Sequence, residues 1–311
     1  MAFPSSPRWT GQAGLILALV ALGGALSLAT PNFLTVPNLI NLVRQISING
    51  ILAVGVTLVL LTGGVDLSLG SLVALSGVAA AHLAQAPGAV AFPALLGMAT
   101  GAACGALSGL VVTRGGVAPF VVTLGMMTVA RGLALVLSGG RPVSNLNPQF
   151  TRLGGGDVAG IPLPVLVLAA VAVIAHVFLR HLRFGRYIYA VGGNEKAARA
   201  SGVDVHGVKL FAYTLCGALA GLAGVVLAAR ITTGQPNAGV GYELDAIAAA
   251  VIGGASLAGG AGGIGGTVLG ALLMGVINNG LDLLNVSSYY QQIVKGLIIV
   301  GAVWLDRGKE K

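Results

Sequence analysis

Apolar runs approaching about 20 residues, the length that crosses a bilayer as a helix, recur along this chain of 311 residues. Within hydrocarbon every backbone polar group must find its partner inside the protein, so such runs fold as helices or as closed barrels. Alternating barrel segments of about ten residues are missing, which leaves helices. Charged residues make up only 8% of the sequence and apolar ones 56%, against about 25% charged in a soluble domain. The 50 glycines follow no collagen-like period and sit inside the apolar runs, where small residues let membrane helices approach closely. The expected class is an all-α membrane protein, a polytopic bundle of about ten transmembrane helices within a single domain over residues 1–311.

The expected spans are Ala13–Ala29, Ile46–Thr62, Leu67–Leu83, Val90–Val112, Pro119–Leu137, Leu163–Leu179, Leu210–Ala229, Leu244–Leu257, Thr267–Leu284 and Tyr289–Leu305. Ser27-Leu28-Ala29 resembles a leader cleavage site, but the run is long for a leader and many spans follow, so it reads as a retained first span. Pro31–Arg44 reads as a proline-punctuated loop and Ser138–Pro162 as a long polar one. Orientation follows from Lys and Arg. With both termini inside, residues 1–12, Arg114, the segment 180–209 and the tail 306–311 hold eleven of the 17 basic residues. Outer loops hold four (Arg44, Arg141, Arg152, Arg230), while Arg131 and Lys295 lie within spans. The asymmetry predicts an N-in, C-in topology, and it explains the net charge of +8 without recourse to nucleic acid.

Six of the basic residues fall in Arg180–Lys209, opposed only by Glu195 and Asp204. Inside this island, Asn194 to Gly202 has the grammar of a short helix. Asn194 can cap it, Glu195 and Arg199 pair at i,i+4, and Gly202 can end it. Ala197, Ala198 and Ser201 offer small side chains for close fit into a partner's groove, with charges at the rim to set register. The competing reading is a helix lying on anionic lipid.

Elsewhere the residues suggest packing more than chemistry. Gly97, Gly101, Gly105 and Gly109 repeat every four residues, as do Gly217/Gly221 and Gly266/Gly270, for internal packing or for a dimer seam. Gly260–Gly265 formally matches GxGxxG, but no strand precedes it, and Gly253–Gly266 reads as a flexible hinge. No GxxxxGK[ST] occurs, so this chain is not expected to bind or hydrolyse ATP, and no cofactor, metal set or nucleophile–base pair emerges. Cys104 and Cys216 read as small buried hydrophobes. Arg131 is expected to face the bundle interior or to snorkel outward. Asp66 beside Ser68 reads as a cap or as part of a translocation pathway. Asn278 and Asn279 read as interhelical hydrogen-bonding groups or as substrate contacts.

The stretches LTGGVDLSLGSLVAL (61–75), APFVVTLGMM (118–127), FGRYIYAVGGNEKAARASGV (184–203) and GYELDAIAAAVIGGASLAGGAGG (241–263) resemble the permease subunits of bacterial ABC importers for ribose and other monosaccharides. The resemblance spans roughly Asn38 to Trp304. It implies a non-enzymatic, multi-pass protein of the bacterial inner membrane that passes a small neutral sugar inward by alternating access. It further implies a second permease copy, an ATP-binding cassette below the membrane and a sugar-binding protein above it. The island then matches the cassette-docking loop, giving Gly192, Asn194, Ala197, Ala198, Ser201 and Gly202 a coupling role. The alternative, an ion-coupled secondary transporter, would need intramembrane carboxylates, and Asp66, Glu243, Asp245 and Asp282 lie mostly at span ends.

Overall fold

A computed structural model describes residues 8–307. The parts of the expected termini at 1–7 and 308–311 lie outside the described residues. The chain forms thirteen helices there: α1 (Arg8–Ala29), α2 (Val36–Leu61), α3 (Leu69–Ala84), α4 (Ala91–Thr113), α5 (Pro119–Ser138), α6 (Pro148–Gly155), α7 (Leu163–His181), α8 (Arg183–Gly193), α9 (Glu195–Ala200), α10 (Val205–Arg230), α11 (Tyr242–Ile252), α12 (Ile264–Leu283) and α13 (Ser288–Arg307). A two-residue hairpin, β1 (Asp157–Val158) with β2 (Ile161–Pro162), follows α6.

Among the described residues seven helices are long and apolar enough to cross a membrane: α1, α2, α4, α5, α7, α10 and α12. Each of the ten expected spans overlaps a helix, but α3 has 16 residues and α11 only 11. At about 1.5 Å per residue α11 reaches roughly 16 Å, half of a hydrocarbon core. The expected span Leu244–Leu257 therefore stops early, at Ile252, where the backbone turns through Gly253 and Gly254. The expected loop Pro31–Arg44 is helical from Val36, because Pro37 falls in the first turn, where its missing N–H costs nothing. The polar loop 138–162 is likewise structured by α6 and the hairpin.

The centre of the bundle is α2, buried without interruption from Ile46 to Leu61, and the second half of α10, buried almost throughout from Cys216 to Ala229. Helix α3 packs against α10, α4 and α5, and α4 lies along α10 as its most extensive neighbour. Helices α11 and α12 cover another side of α2, α1 rests on α12, and α13 touches α11. Large apolar side chains face outward from this ring, among them Leu28, Phe92, Leu95, Val121, Val136, Ile174 and Leu297. Water would not tolerate so broad an apolar girdle on a monomer, whereas lipid does.

The glycine stripe of α4 is occupied internally. A methyl group at Gly101 would strike the Gly217 carbonyl and come within 3.0 Å of Gly221 Cα. One at Gly105 would lie 3.1 Å from Gly217 Cα, and one at Gly109 3.1 Å from Tyr213 Cβ. The stripe thus seats α4 against α10 within one chain and is not free to act as a dimer seam. Gly266 and Gly270 do the same for α12 against Gly253 and Ala249. Gly101→Leu is expected to force the pair apart, destabilising the fold by at least about 1–3 kcal/mol. Thermal unfolding in detergent measures this, and an unchanged midpoint would refute the packing role.

The connecting segments gather into two sets. One joins the turn after α3 to the 139–147 segment, through Asn147 Nδ2 on the carbonyls of Ala84, Ala86 and Ala89 and Gln85 on Ser144. The same set includes the Val143–Gly234 bridge and Arg44 on the Gly155 carbonyl. In the other set Gly260 N–H donates to Leu61 at 3.0 Å and the Tyr189 hydroxyl to the Gly262 carbonyl at 3.1 Å.

Candidate functional site

The basic island folds as a compact cap on the second set of turns. Helix α7 runs to His181, and α8 turns back from Arg183. Phe178, Phe184 and Phe211 join α7, α8 and α10, with ring centroids 4.8–6.2 Å apart. Such contacts contribute beyond their buried area. The rings fix the island's base, so its outer helix is presented on a firm support.

That outer helix is α9, and it has the expected grammar. Asn194 Oδ1 accepts from Ala197 N–H at 2.9 Å, and Gly202 adopts φ of +82° after the last turn. Arg199 meets Glu195 at 3.1 Å, and Lys209 from α10 reaches the other carboxylate oxygen at 2.6 Å. Glu195 therefore staples α9 to the start of α10, where Asp204 caps the helix by accepting from Gly207 N–H at 3.1 Å. The Lys209 hydrogen bond holds the Glu195 carboxyl below its ordinary 4.5. A depressed carboxyl contributes stability above its unfolded value and loses it as pH falls through the folded value. Hydrogen exchange of the α9 amides is expected to accelerate as pH falls below the ordinary carboxyl value of 4.5, and Glu195→Gln is expected to bring that rate to neutral pH. Equal protection in the variant would refute the staple.

The six expected coupling residues divide between two faces. Asn194, Ala197, Ser201 and Gly202 are exposed, with Lys196, Arg199 and Ala200 around them. Ala198 points the other way, 5% exposed within the main core. Gly192 also faces inward: a side chain there would collide with the Leu61 carbonyl and with Gly260 N. The outward surface is thus small, polar-rimmed and rigidly held.

The four residues expected along a pathway do not converge. Asp66 is fully buried at the turn before α3, where Oδ1 accepts from Ser68 N–H at 2.9 Å and from Ser68 Oγ at 2.6 Å. That is a local turn closure of the capping kind. Asn279 exchanges two hydrogen bonds with Asn38 of α2, at 2.8 and 3.1 Å. Asn278 donates to Asp245 Oδ2 at 3.2 Å, and Lys295 Nζ holds the same oxygen at 2.9 Å. This last cluster ties α11, α12 and α13 together. Asp245 is 2% exposed, and its Oδ1 and the Asn278 Oδ1 are buried with no hydrogen-bond partner among the described residues. Sequence reading marked Lys295 and Asn278 separately. Their opposite charge and amide partner, Asp245, was the available signal that they belong together.

Arg131 Nη1 donates to the carbonyls of Pro236 and Ala238 at 2.6 and 2.8 Å, pinning the 230–242 loop to α5. Cys104 and Cys216 are buried and unbridged. Among the described residues no group of three or more His, Cys, Asp or Glu side chains is placed to hold a metal ion. Among the described residues the geometry offers helix packing, a buried charge cluster and an exposed small-residue face on α9.

Residues 38–303 match the model of a family described as branched-chain amino acid transport system / permease component. The chain belongs to this family. Its similarity to individual members is extensive. It is 48% identical to the ribose import permease protein of Escherichia coli (strain K12) over 309 residues, covering 97% of this chain and 95% of that one. It is also 48% identical to the ribose import permease protein of Bacillus subtilis (strain 168), covering 95% and 92%. With the D-allose transport system permease protein of Escherichia coli (strain K12) it shares 41% identity, covering 94% and 90%. No solved structure matches this chain. A permease component is a membrane protein and not an enzyme, which accords with a chain that carries no ATP-binding motif.

Proposed function

We propose that this protein is the membrane-spanning subunit of an ABC importer that carries a monosaccharide inward across the bacterial inner membrane. The observation that carries the reading is the near-complete coverage of both chains in the matches to ribose and allose permeases. The sugar is ribose or a related pentose or hexose. An uncharged cargo suits an interior with few charges, because fixed charges along its path would cost desolvation without gaining attraction.

The chain crosses the membrane ten times, with α3 and α13 as further spans and α11 crossing together with the non-helical segments at its two ends, and both termini lie in the cytoplasm. Two features support that topology: the basic bias of the island, and the way two groups of connecting segments touch among themselves. Turns 62–68, 180–209 and 253–263 touch one another, while 139–147, 84–89 and 230–234 touch among themselves. The first set lies in the cytoplasm and includes the docking loop.

A cassette dimer engages the exposed face of α9 (Asn194, Ala197, Ser201, Gly202) on each of two permease copies, and a sugar-binding protein delivers cargo from the other side. ATP binding draws the cassettes together, and the permease responds by exchanging two packings of the same helices. The test is reconstitution with a cassette and binding protein in proteoliposomes. Uptake of radiolabelled ribose should require ATP inside and be abolished by vanadate. Uptake that persists with vanadate but collapses with a protonophore would refute the reading and favour an ion-coupled carrier.

A further inference from the structure

The inward face of the docking loop meets two other backbones with no side chain between them. Gly192, at the end of α8, lies against the Leu61 carbonyl and Gly260 N. That same carbonyl, one of the last of α2, accepts a hydrogen bond from Gly260 N–H at 3.0 Å. A methyl group on Gly260 would stand 2.7 Å from Gly193 Cα, and one on Gly259 2.9 Å from the Gly192 carbonyl and 2.8 Å from Gly63 N. Tyr189 closes the group by donating to the Gly262 carbonyl at 3.1 Å.

The turn between α11 and α12 is therefore not slack. Its internal bond from Ser256 N–H to the Ala261 carbonyl (2.9 Å) shapes it, and positive φ at Gly254, Gly259, Gly260 and Gly262 lets it follow the docking loop at backbone distance. Four residues beyond Gly260, Ile264 begins α12, and Leu61 ends α2, whose second half is buried without interruption. Rotamers normally absorb small displacements at a helix contact. Here there are none, so a shift of α8 and α9 reaches the ends of α2 and α12 directly. A packed core answers such a push by switching arrangement and not by yielding continuously.

We propose that the three-backbone contact of Gly192, Leu61 and Gly260, clamped by Tyr189, is the transmission point that converts movement of the docking loop into movement of α2 and α12. The proposal rests on the reading that α9 docks a cassette, and it makes Gly192, Gly260 and Tyr189 positioning residues for coupling, distinct from the docking surface itself.

The test compares the complete importer, reconstituted with cassette and binding protein, in four forms: unaltered, Gly192→Ala, Gly260→Ala and Gly193→Ala. The last is the control, because a methyl group on Gly193 meets nothing within 4 Å. Cassette co-purification, ATP hydrolysis and radiolabelled ribose uptake are measured together. Gly192→Ala and Gly260→Ala are expected to bind the cassette and hydrolyse ATP while uptake per ATP falls about tenfold, within the range seen when coupling residues are altered. Gly193→Ala is expected to match the unaltered chain. Retained cassette binding with undiminished uptake per ATP in both variants would overturn the inference alone. Failure of the unaltered chain to bind a cassette would overturn the docking reading as well. If the alanine variants do not assemble, Tyr189→Phe decides: it removes the hydroxyl bond but keeps the ring, and a two- to threefold fall in uptake per ATP is expected. Coupling equal to the unaltered chain would overturn the inference.

Discussion

Replacing Lys295 with Met is expected to destabilise the permease by about 3–5 kcal/mol, because it strands the buried carboxylate of Asp245 without its cation. Asp245 Oδ2 holds both Lys295 Nζ and the Asn278 amide, so a single substitution disturbs α11, α12 and α13 together. Asp245→Asn alone is expected to be harmful for the converse reason, since it leaves the ammonium half-buried. The double variant Asp245→Asn with Lys295→Met removes both charges and is expected to recover most of the loss, as paired apolar or neutral replacements of buried ion pairs commonly do. Thermal unfolding of the three variants in one detergent measures the cycle. If the double variant were as unstable as the sum of the singles, the pair would not be the unit of stabilisation.

The second large effect is expected at the docking surface. Ala197→Arg puts a long cation on the exposed face of α9 without touching the core. If that face seats in a cassette groove, affinity for the cassette should fall at least about 30-fold, the effect of a lost interface hot spot of about 2 kcal/mol. Thermal stability of the isolated permease should not change. Ala198→Arg looks equivalent in sequence, but it drives a charge into the core and would lose cassette binding through misfolding. The pair therefore separates a surface effect from a structural one. Undiminished cassette binding by Ala197→Arg would remove α9 from the interface.

The contrast between Ala197 and Ala198 marks how far the sequence could be read. Local grammar was legible: the Asn194 cap, the Glu195–Arg199 pair and the Gly202 stop are all made between residues within one short helix. Orientation was not, because a helix of six residues rich in alanine has no apolar stripe to tell inside from outside. Pro37 misled for a similar reason, since proline marks both loops and first helical turns. The apolar runs anticipated each of the seven described helices that are long and apolar enough to cross a membrane, while the early end of α11 followed from backbone turns at Gly253 and Gly254 that hydropathy does not register. Partnerships across the chain were the least legible. Asn38 and Asn279, or Leu61 and Gly260, carry no local sign of each other, and the glycines of 253–266 look like slack until the backbone they admit is in view.

The seating of α4 on α10 bears on how the chain is made as well as on how it stands. Gly101 and Gly217 touch, yet roughly a hundred residues separate them, which at bacterial rates is on the order of ten seconds of synthesis. During that interval α4 is already in the membrane with its bare groove open to lipid or to whatever helix is nearby. The central seam of the bundle can therefore close only late, after α5 and α7 have been inserted. A nascent permease truncated before α10 should be the form most readily captured by a membrane chaperone or protease, and crosslinking of ribosome-stalled chains through the native Cys104 of α4, which is free and buried in the finished fold, would show when the groove fills.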